Sequence, residues 1–468
     1  MGDLRVTLTT GAEAVLEDAA VKAFKASLRG ELLCPDDDGY DRARRIWNGM
    51  VDRHPAMIVQ CAGVADVISA VNFARSTSLL IAVRGGGHNV AGNAVCDGGI
   101  MIDLSRMKSV RVDPVYRTAR AEPGLTWADF DRETQAFGLA VTGGAISTTG
   151  IAGLTLGGGW GWLARKYGLA SDNLLSVDMV TADGHFLTAS ATENEDLFWG
   201  VRGGGGNFGV VTSFEYRLHP VGTLLAGMLI HPFEKAKQVL KFYREFTSTE
   251  PDELATYAVI LIPPGGETVA AIVVCYNGPI EEGGRVLRPL REFGPPLADQ
   301  VGPMSYTQVQ KMLDFFYPPG IQNYWKSSFL KELSDDAIEV IIAYCSHLPS
   351  PMCHMVLEEL GGAVSLRSQE ETAFNHRDVR YNFLSLGVCT DPAESEKCIQ
   401  WARKFWEAMQ PFSSGGVYVN YLGQEGTERV RAAYGAQKYE RLVTLKNKYD
   451  PTNLFRLNQN IKPTTAVS

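Results

Sequence analysis

The stretch RGGGHNVAGN, residues 84–93, sets one histidine, His88, directly after three glycines, in a segment with almost no side chain to pack. Two more glycine-rich loops follow, GGAISTTGIAGLTLGGGWGWLARKYGLASDN at 143–173 and VRGGGGNFGVV at 201–211. Glycine supplies positive φ and lets backbone N–H groups approach an anion unobstructed, so three such loops together could hold a diphosphate. One such loop alone reads most simply as a bend in β structure; three in one sheet region point to a ligand. The dinucleotide fingerprint does not account for them. GLTLGGGWG has only a loose G-x-G-x-x-G likeness, with no strand, turn and helix unit and no acidic residue about twenty positions on. No glycine loop ends in Gly-Lys-Ser/Thr, which excludes a P-loop. A lone histidine is commonly a hydrogen-bonded structural residue, and only its glycine setting marks His88. The other histidines (54, 185, 219, 231, 347, 354, 376) show no ligand spacing to it, so no metal is expected, and a G-x-S-x-G nucleophile elbow is missing.

The elements that must position these loops change character along the chain. From about residue 55 to 220, short strands alternate with a few helices: AMIVQCAG, LLIAVRGGG, GIMIDLS, SVRVDP, LLSVDMVTADGHFLTA and GVVTSFEYRLHP read as strands. VADVISAVNFARS places Val64, Val67, Ile68 and Val71 at helical spacing, and TWADFDRETQAFG is a second helix. From about residue 220, longer helices alternate with cleaner strands. EKAKQVLKFYREF and ESEKCIQWARKFWEAM are amphipathic, with ATYAVILI, VAAIVVCY, NYWKSSFL, MCHMVLEEL and YNFLSLGVC as strands between them. The pattern predicts an α+β protein whose second lobe is a sheet covered by helices.

A chain of 468 residues exceeds what one core usually supports, so at least two lobes are expected. The 45% hydrophobic and 21% charged residues, with no low-complexity run, argue against disorder. The net charge of −9 is spread without a basic stripe, which argues against nucleic acid and anionic membrane surfaces as partners. The opening MGDLRVTLTTGAEAVLEDAAVKAF lacks a positive region followed by an apolar one, and a cytoplasmic protein is expected. The cysteines (34, 61, 96, 275, 345, 353, 389, 398) sit singly with no CxxC pair, as buried thiols would. Oligomeric state is not legible.

Four ordered segments resemble a known family over nearly the whole chain: IAVRGGGHNVAGN, GIAGLTLGGGWGWLARKYGLASDN, DLFWGVRGGGGNFGVVTSFEYRLHP and YDPTNLFRLNQNIKP. They are similar to the FAD-linked oxidoreductases of the vanillyl-alcohol oxidase superfamily, and within it to the berberine bridge enzyme-like group. The resemblance implies a two-lobe PCMH-type FAD-binding fold: an FAD-binding domain over 1–220, an inserted α+β substrate domain with an antiparallel sheet over 221–415, and a C-terminal segment, 416–468, returning to the first. It implies that His88 bonds covalently to the isoalloxazine. The cofactor-binding residues it implies are Arg84, Gly85, Gly86, Gly87, His88, Asn89, Gly92, Thr148, Thr149, Gly150, Gly153, Gly158, Gly159, Asn173, Val211, Asn420, Asn458 and Asn460. Where many relatives carry a second, cysteinyl link, GAISTTGIAG has Ile146, so one covalent bond is expected. The family position that gates oxygen falls on Thr149, which favours an oxidase.

The resemblance also implies a base that removes a proton while hydride leaves. VYVNY is similar to the tail signature YxNY, which makes Tyr421 the leading candidate, followed by Tyr418. The strand in AFNHRDVRYNFLSLG, where relatives carry a glutamate or glutamine, offers no carboxylate; Tyr381 is a further candidate, with Asn382 and Ser385 as substrate contacts. Trp325 and Lys326 of YWKSSFL are expected to line the substrate pocket. The implied reaction is oxidation of an organic donor (an alcohol, sugar, phenolic or secondary-metabolite intermediate) with O2 as acceptor and H2O2 as product. A dehydrogenase with poor O2 reactivity, a flavin-binding protein with little turnover and an NAD(P)H-dependent flavin reductase remain open at this point.

Overall fold

The computed structural model describes residues 3–464; the outermost ends of the segments expected at 1–220 and 416–468 fall outside these. The architecture is α+β, as the patterning predicts. A four-stranded sheet runs in the order Glu31–Leu33, Met57–Gln60, Ile100–Asp103, Ile81–Arg84, its last three strands parallel. Parallel strands need a crossover, and Val64–Ser76 carries the chain from Met57–Gln60 to Ile81–Arg84, the two strands that flank Ile100–Asp103, burying Val67, Ala70, Val71 and Ala74 on one face. A five-stranded antiparallel sheet follows, in the order Phe186–Ser190, Leu174–Thr181, Gly209–Arg217, Thr118–Ala121, Val110–Asp113. The tail joins its core: Val417, Tyr418, Leu422, Tyr434, Leu442 and Ile461 pack in one cluster with Trp127, Phe130 and Phe214.

The eight-stranded sheet is antiparallel throughout and is drawn from strands between Leu224–Pro232 and Tyr381–Cys389. Its two faces differ because side chains alternate along each strand. In Leu254–Leu261, Ala258 and Ile260 face a core shared with helices Ala236–Thr247, Asp335–Cys345 and Ser395–Met409, through Val239, Leu240, Tyr243, Ile338, Ile341 and Phe405. Tyr257 and Val259 face the other way, into a cluster with Trp47, Trp162 and Trp325. That second face, opposite the helices, closes one side of the cavity described next. Among the described residues no helix is long and apolar enough to cross a membrane.

Candidate active site

The three glycine loops and the inner face of the large sheet converge on one cavity of about 310 Å³. The first loop contributes Gly85 to Val90, the second Gly144 to Gly150 in part, and the third Gly205 to Asn207. The loops pack so closely that side chains are impossible at their contact. A Cβ on Gly86 would lie 2.4 Å from the Gly150 Cα, so backbone meets backbone there. Gly87 turns the chain at φ +68° and presents His88 to the cavity.

His88 is half-buried and stacks on Trp47, with ring centroids 4.2 Å apart and planes at 18°. Trp47 is itself held by the backbone: its N–H donates to the Gly87 carbonyl at 3.0 Å, and its indole N–H to the Tyr317 carbonyl at 3.0 Å. Burial pushes the His88 imidazole down to about 4, so it is neutral near pH 7 and keeps a nucleophilic lone pair. The Thr148 hydroxyl lies 3.5 Å from its Nε2.

On the opposite wall stands a carboxylate, Glu358, buried at 5% exposure on the strand His354–Glu359. Three groups donate to it: Tyr421 Oη to Oε1 at 3.0 Å, and Trp160 Nε1 at 3.1 Å and Asn382 Nδ2 at 2.6 Å to Oε2. Burial pushes its pKa up to about 7, while the three hydrogen bonds pull down and keep it from rising further. Tyr421 is pushed well above the ordinary phenol range, first by burial and then by the charge of Glu358, so it stands as a neutral donor. Tyr418 stacks on Trp160 with centroids 3.7 Å apart, and its hydroxyl accepts from the Gly159 N–H at 2.9 Å and from Asn420 Nδ2 at 2.7 Å. A carboxyl group that titrates near neutrality, facing a cavity, suits general-base work.

An FAD binding domain family matches residues 55–190, and the berberine and berberine like family matches residues 417–462. An FAD-linked oxidoreductase of Dictyostelium discoideum is 35% identical over 449 residues, spanning 95% of this chain and 97% of its own length. The chain belongs to the berberine bridge enzyme-like family of FAD-linked oxidoreductases. Within this family it is also 33% identical to the (R)-6-hydroxynicotine oxidase of Paenarthrobacter nicotinovorans, over 94% of this chain and 98% of that protein. The crystal structure of 6-hydroxy-D-nicotine oxidase from Arthrobacter nicotinovorans superposes with a TM-score of 0.87 at 31% identity, covering 93% and 98% of the two chains. The fold is thus the two-lobe PCMH-type FAD-binding fold, and the protein is an FAD-dependent oxidoreductase.

The residues present fit FAD. A Cβ on Gly153 or Gly206 would meet nothing within 4 Å, which leaves bare main chain beside open space. The Asn458 amide oxygen is buried without a partner next to that space. Gly85, Gly86, Gly87, His88, Asn89, Thr149, Gly150, Gly153, Val211, Asn420 and Asn458 all line the cavity, as do Tyr418, Tyr421 and Trp325.

Other expected residues stand elsewhere. Arg84 turns away and binds Asp103 through both carboxylate oxygens, tying the loop to the neighbouring strand. Gly92 closes a turn onto the Asn89 carbonyl. Gly158 packs on Phe374, and Gly159 reaches the site only through Tyr418. Asn173 holds the carbonyls of Tyr167 and Leu169, a purely structural duty. Thr148 is exposed at the His88 edge, and Asn460 is outside the lining, its amide oxygen buried without a partner.

Four expectations in the second lobe need correction; strand alternation explains Tyr381, Ser385 and Lys326, and the hydrogen bond to Glu358 explains Asn382. Tyr381 lies in the helix-side core, bonded to Thr247 Oγ1 at 2.8 Å, far from acid–base work. Ser385 donates to the Ala402 carbonyl of helix Ser395–Met409, and Lys326 beside it pairs with Glu425 and sits over Trp406, 4.2 Å from the ring centroid. Asn382 does not line the cavity; it pairs with Glu358 across the strands and positions that carboxylate. The carboxylate sought on Tyr381–Cys389 comes from the adjacent strand instead. Its signal was the two-residue spacing of His354, Val356 and Glu358, which all line the cavity.

Tyr421→Phe is expected to retain flavin and to move the pH dependence of flavin reduction to higher pH. Loss of the phenol removes one of the bonds that hold the Glu358 pKa down. Stopped-flow reduction across pH 5 to about 9 checks this, and an unmoved inflection would reject the coupling.

Proposed function

We propose that the protein is an oxidase carrying FAD covalently through His88, with Glu358 as the base. The observation that carries this reading is Glu358: a buried, triply hydrogen-bonded carboxylate in the same cavity as the His88 loop. Bound FAD would supply the two-electron acceptor and pass the electrons to O2.

The donor is a small organic molecule with hydrogen on a carbon that bears a hydroxyl or amino group. Ionised Glu358 takes the proton from the oxygen or nitrogen as hydride leaves the carbon. Tyr421 keeps its own proton and stabilises the carboxylate, and Asn382 and Trp160 orient it. In sum, an alcohol and O2 give the corresponding carbonyl compound and H2O2, and an amine donor gives the imine instead. Neutral His88 on its glycine turn holds the cofactor in place, and Trp47 braces the imidazole. The cysteines of the chain are buried away from the lining, which supports a single covalent link. Thr149 in the lining and the relatives named as oxidases support O2 as acceptor.

Anaerobic mixing of flavin-loaded protein with a panel of alcohols and amines, followed by admission of air, tests the reading. Bleaching by a donor and recovery with one H2O2 per flavin is the expected result. Recovery only with an artificial acceptor would make the protein a dehydrogenase.

A further inference from the structure

Resting on that reading, we infer that the sheet-side half of the cavity recognises an aromatic donor that is uncharged or cationic and carries a second O–H or N–H group remote from the oxidised carbon. Three observations lead there. The first is charge. Among the described residues the cavity lining holds no lysine, arginine or aspartate, and its one carboxylate is Glu358. Above about pH 7, where Glu358 is ionised, an anionic substrate would enter opposite a like charge with no counter-ion. Apart from Glu358, Tyr257 and His354 the inner sheet face is apolar: Met228, Val259, Leu261, Val273, Val356 and Leu384 leave few partners for a polyhydroxylated sugar. Trp325, edge-on to Tyr421 at 5.7 Å between centroids, and to Tyr317 at 6.0 Å, bounds a slot suited to a ring.

The second observation is Tyr257. It pairs directly with Glu358 across neighbouring strands and is 4% exposed, and its hydroxyl is buried in the cavity wall with no partner. Buried polar groups are nearly always satisfied, so an orphan at a cavity is a place for a ligand atom. No step assigned above uses it.

The third is the direction of the hydrogen bonds at Tyr317. His354 Nδ1 lies 2.8 Å from the Met352 carbonyl, an acceptor only, so that nitrogen carries the proton. His354 Nε2 is then an acceptor, and it takes the Tyr317 hydroxyl proton at 2.9 Å. The Tyr317 oxygen can offer the cavity only lone pairs. A substrate group meeting it must donate. Tyr317 and His354 are therefore specificity residues, distinct from the proton transfer at Glu358.

Titration of flavin-loaded protein with phenol, anisole, benzoate and D-glucose, read from the shift in flavin absorbance, tests the assignment without turnover. At about pH 9, where Glu358 is ionised, phenol is expected to bind, anisole about five- to tenfold more weakly for want of a donor, and benzoate at least about 100-fold more weakly. Tyr317→Phe should bring phenol and anisole together, and Tyr257→Phe should weaken phenol while leaving thermal stability equal or higher, since an orphan hydroxyl is removed. Benzoate as tight as phenol, glucose tighter than phenol, equal phenol and anisole in the wild type, or no response to any ring probe would each overturn the inference. Binding in this assay does not need Glu358 to accept a proton, so a failure of the base assignment shows separately, as unchanged flavin reduction in Glu358→Gln.

Discussion

Glu358→Gln is expected to keep the fold and the flavin while slowing anaerobic flavin reduction by about 10²- to 10⁴-fold, the usual loss when a general base is removed. The substitution is isosteric, and the hydrogen bonds survive it. The amide oxygen can accept from Trp160 and Asn382 in place of Oε2, and the amide nitrogen can donate to a Tyr421 hydroxyl that has turned round. What disappears is the capacity to accept a proton. In the wild type, reduction should rise with pH up to about 7 and level off above it, because only the ionised carboxylate is a base.

The same group makes an opposite prediction for stability. Its folded pKa, about 7, lies above the ordinary 4.5, so the folded protein binds more protons than the unfolded chain between those values. Stability from this group is complete below pH 4.5 and is lost as pH rises through about 7. Glu358→Gln should remove that loss and be more stable than wild type at pH 8, by at most on the order of 3 kcal/mol. Thermal denaturation of both proteins from pH 5 to about 8 checks this. A variant that is slower and also less stable at pH 8 would indicate a structural ion rather than a strained catalytic one.

His88→Ala carries the second large effect. Acid-precipitated wild-type protein should stay yellow with its flavin in the pellet, and the variant should release essentially all of it to the supernatant. The imidazole, pushed down to about 4 by burial, is neutral at every pH where the protein would normally be studied. Formation of the bond should therefore be independent of pH from 6 to about 8 and slow only as the free ring becomes protonated, near pH 4, while the bond once formed survives acid precipitation. The variant also loses the stack on Trp47, so its remaining flavin should be less firmly oriented and its turnover slower. A colourless wild-type pellet would refute covalency while leaving the Glu358 assignment intact.

Much of the glycine-loop side of the cavity was legible in the sequence because its determinants are local. Glycine runs report where backbone must approach backbone or ligand, and the contact of Gly86 with Gly150 is such a case. His88 stands out for a similar reason, as one side chain capable of chemistry among residues that have none. Arg84 and Asn173 were misjudged because a motif marks a neighbourhood, and a side chain inside it can point out of the site to satisfy a strand or a loop.

The substrate side depends on register, which one chain's local pattern leaves open. VLEEL contains two adjacent glutamates, and nothing in their order says which one does chemistry. In the folded protein Glu358 faces the cavity among Tyr421, Trp160 and Asn382, while Glu359, one residue on, faces the other way onto Arg165. The glycine-lined wall of the cavity and the histidine that faces it could thus be read from the chain directly, being properties of short segments. The base was selected at the level of folding: strands alternate their side chains, and only the pairing of His354–Glu359 with its neighbours picks the face that meets the cavity.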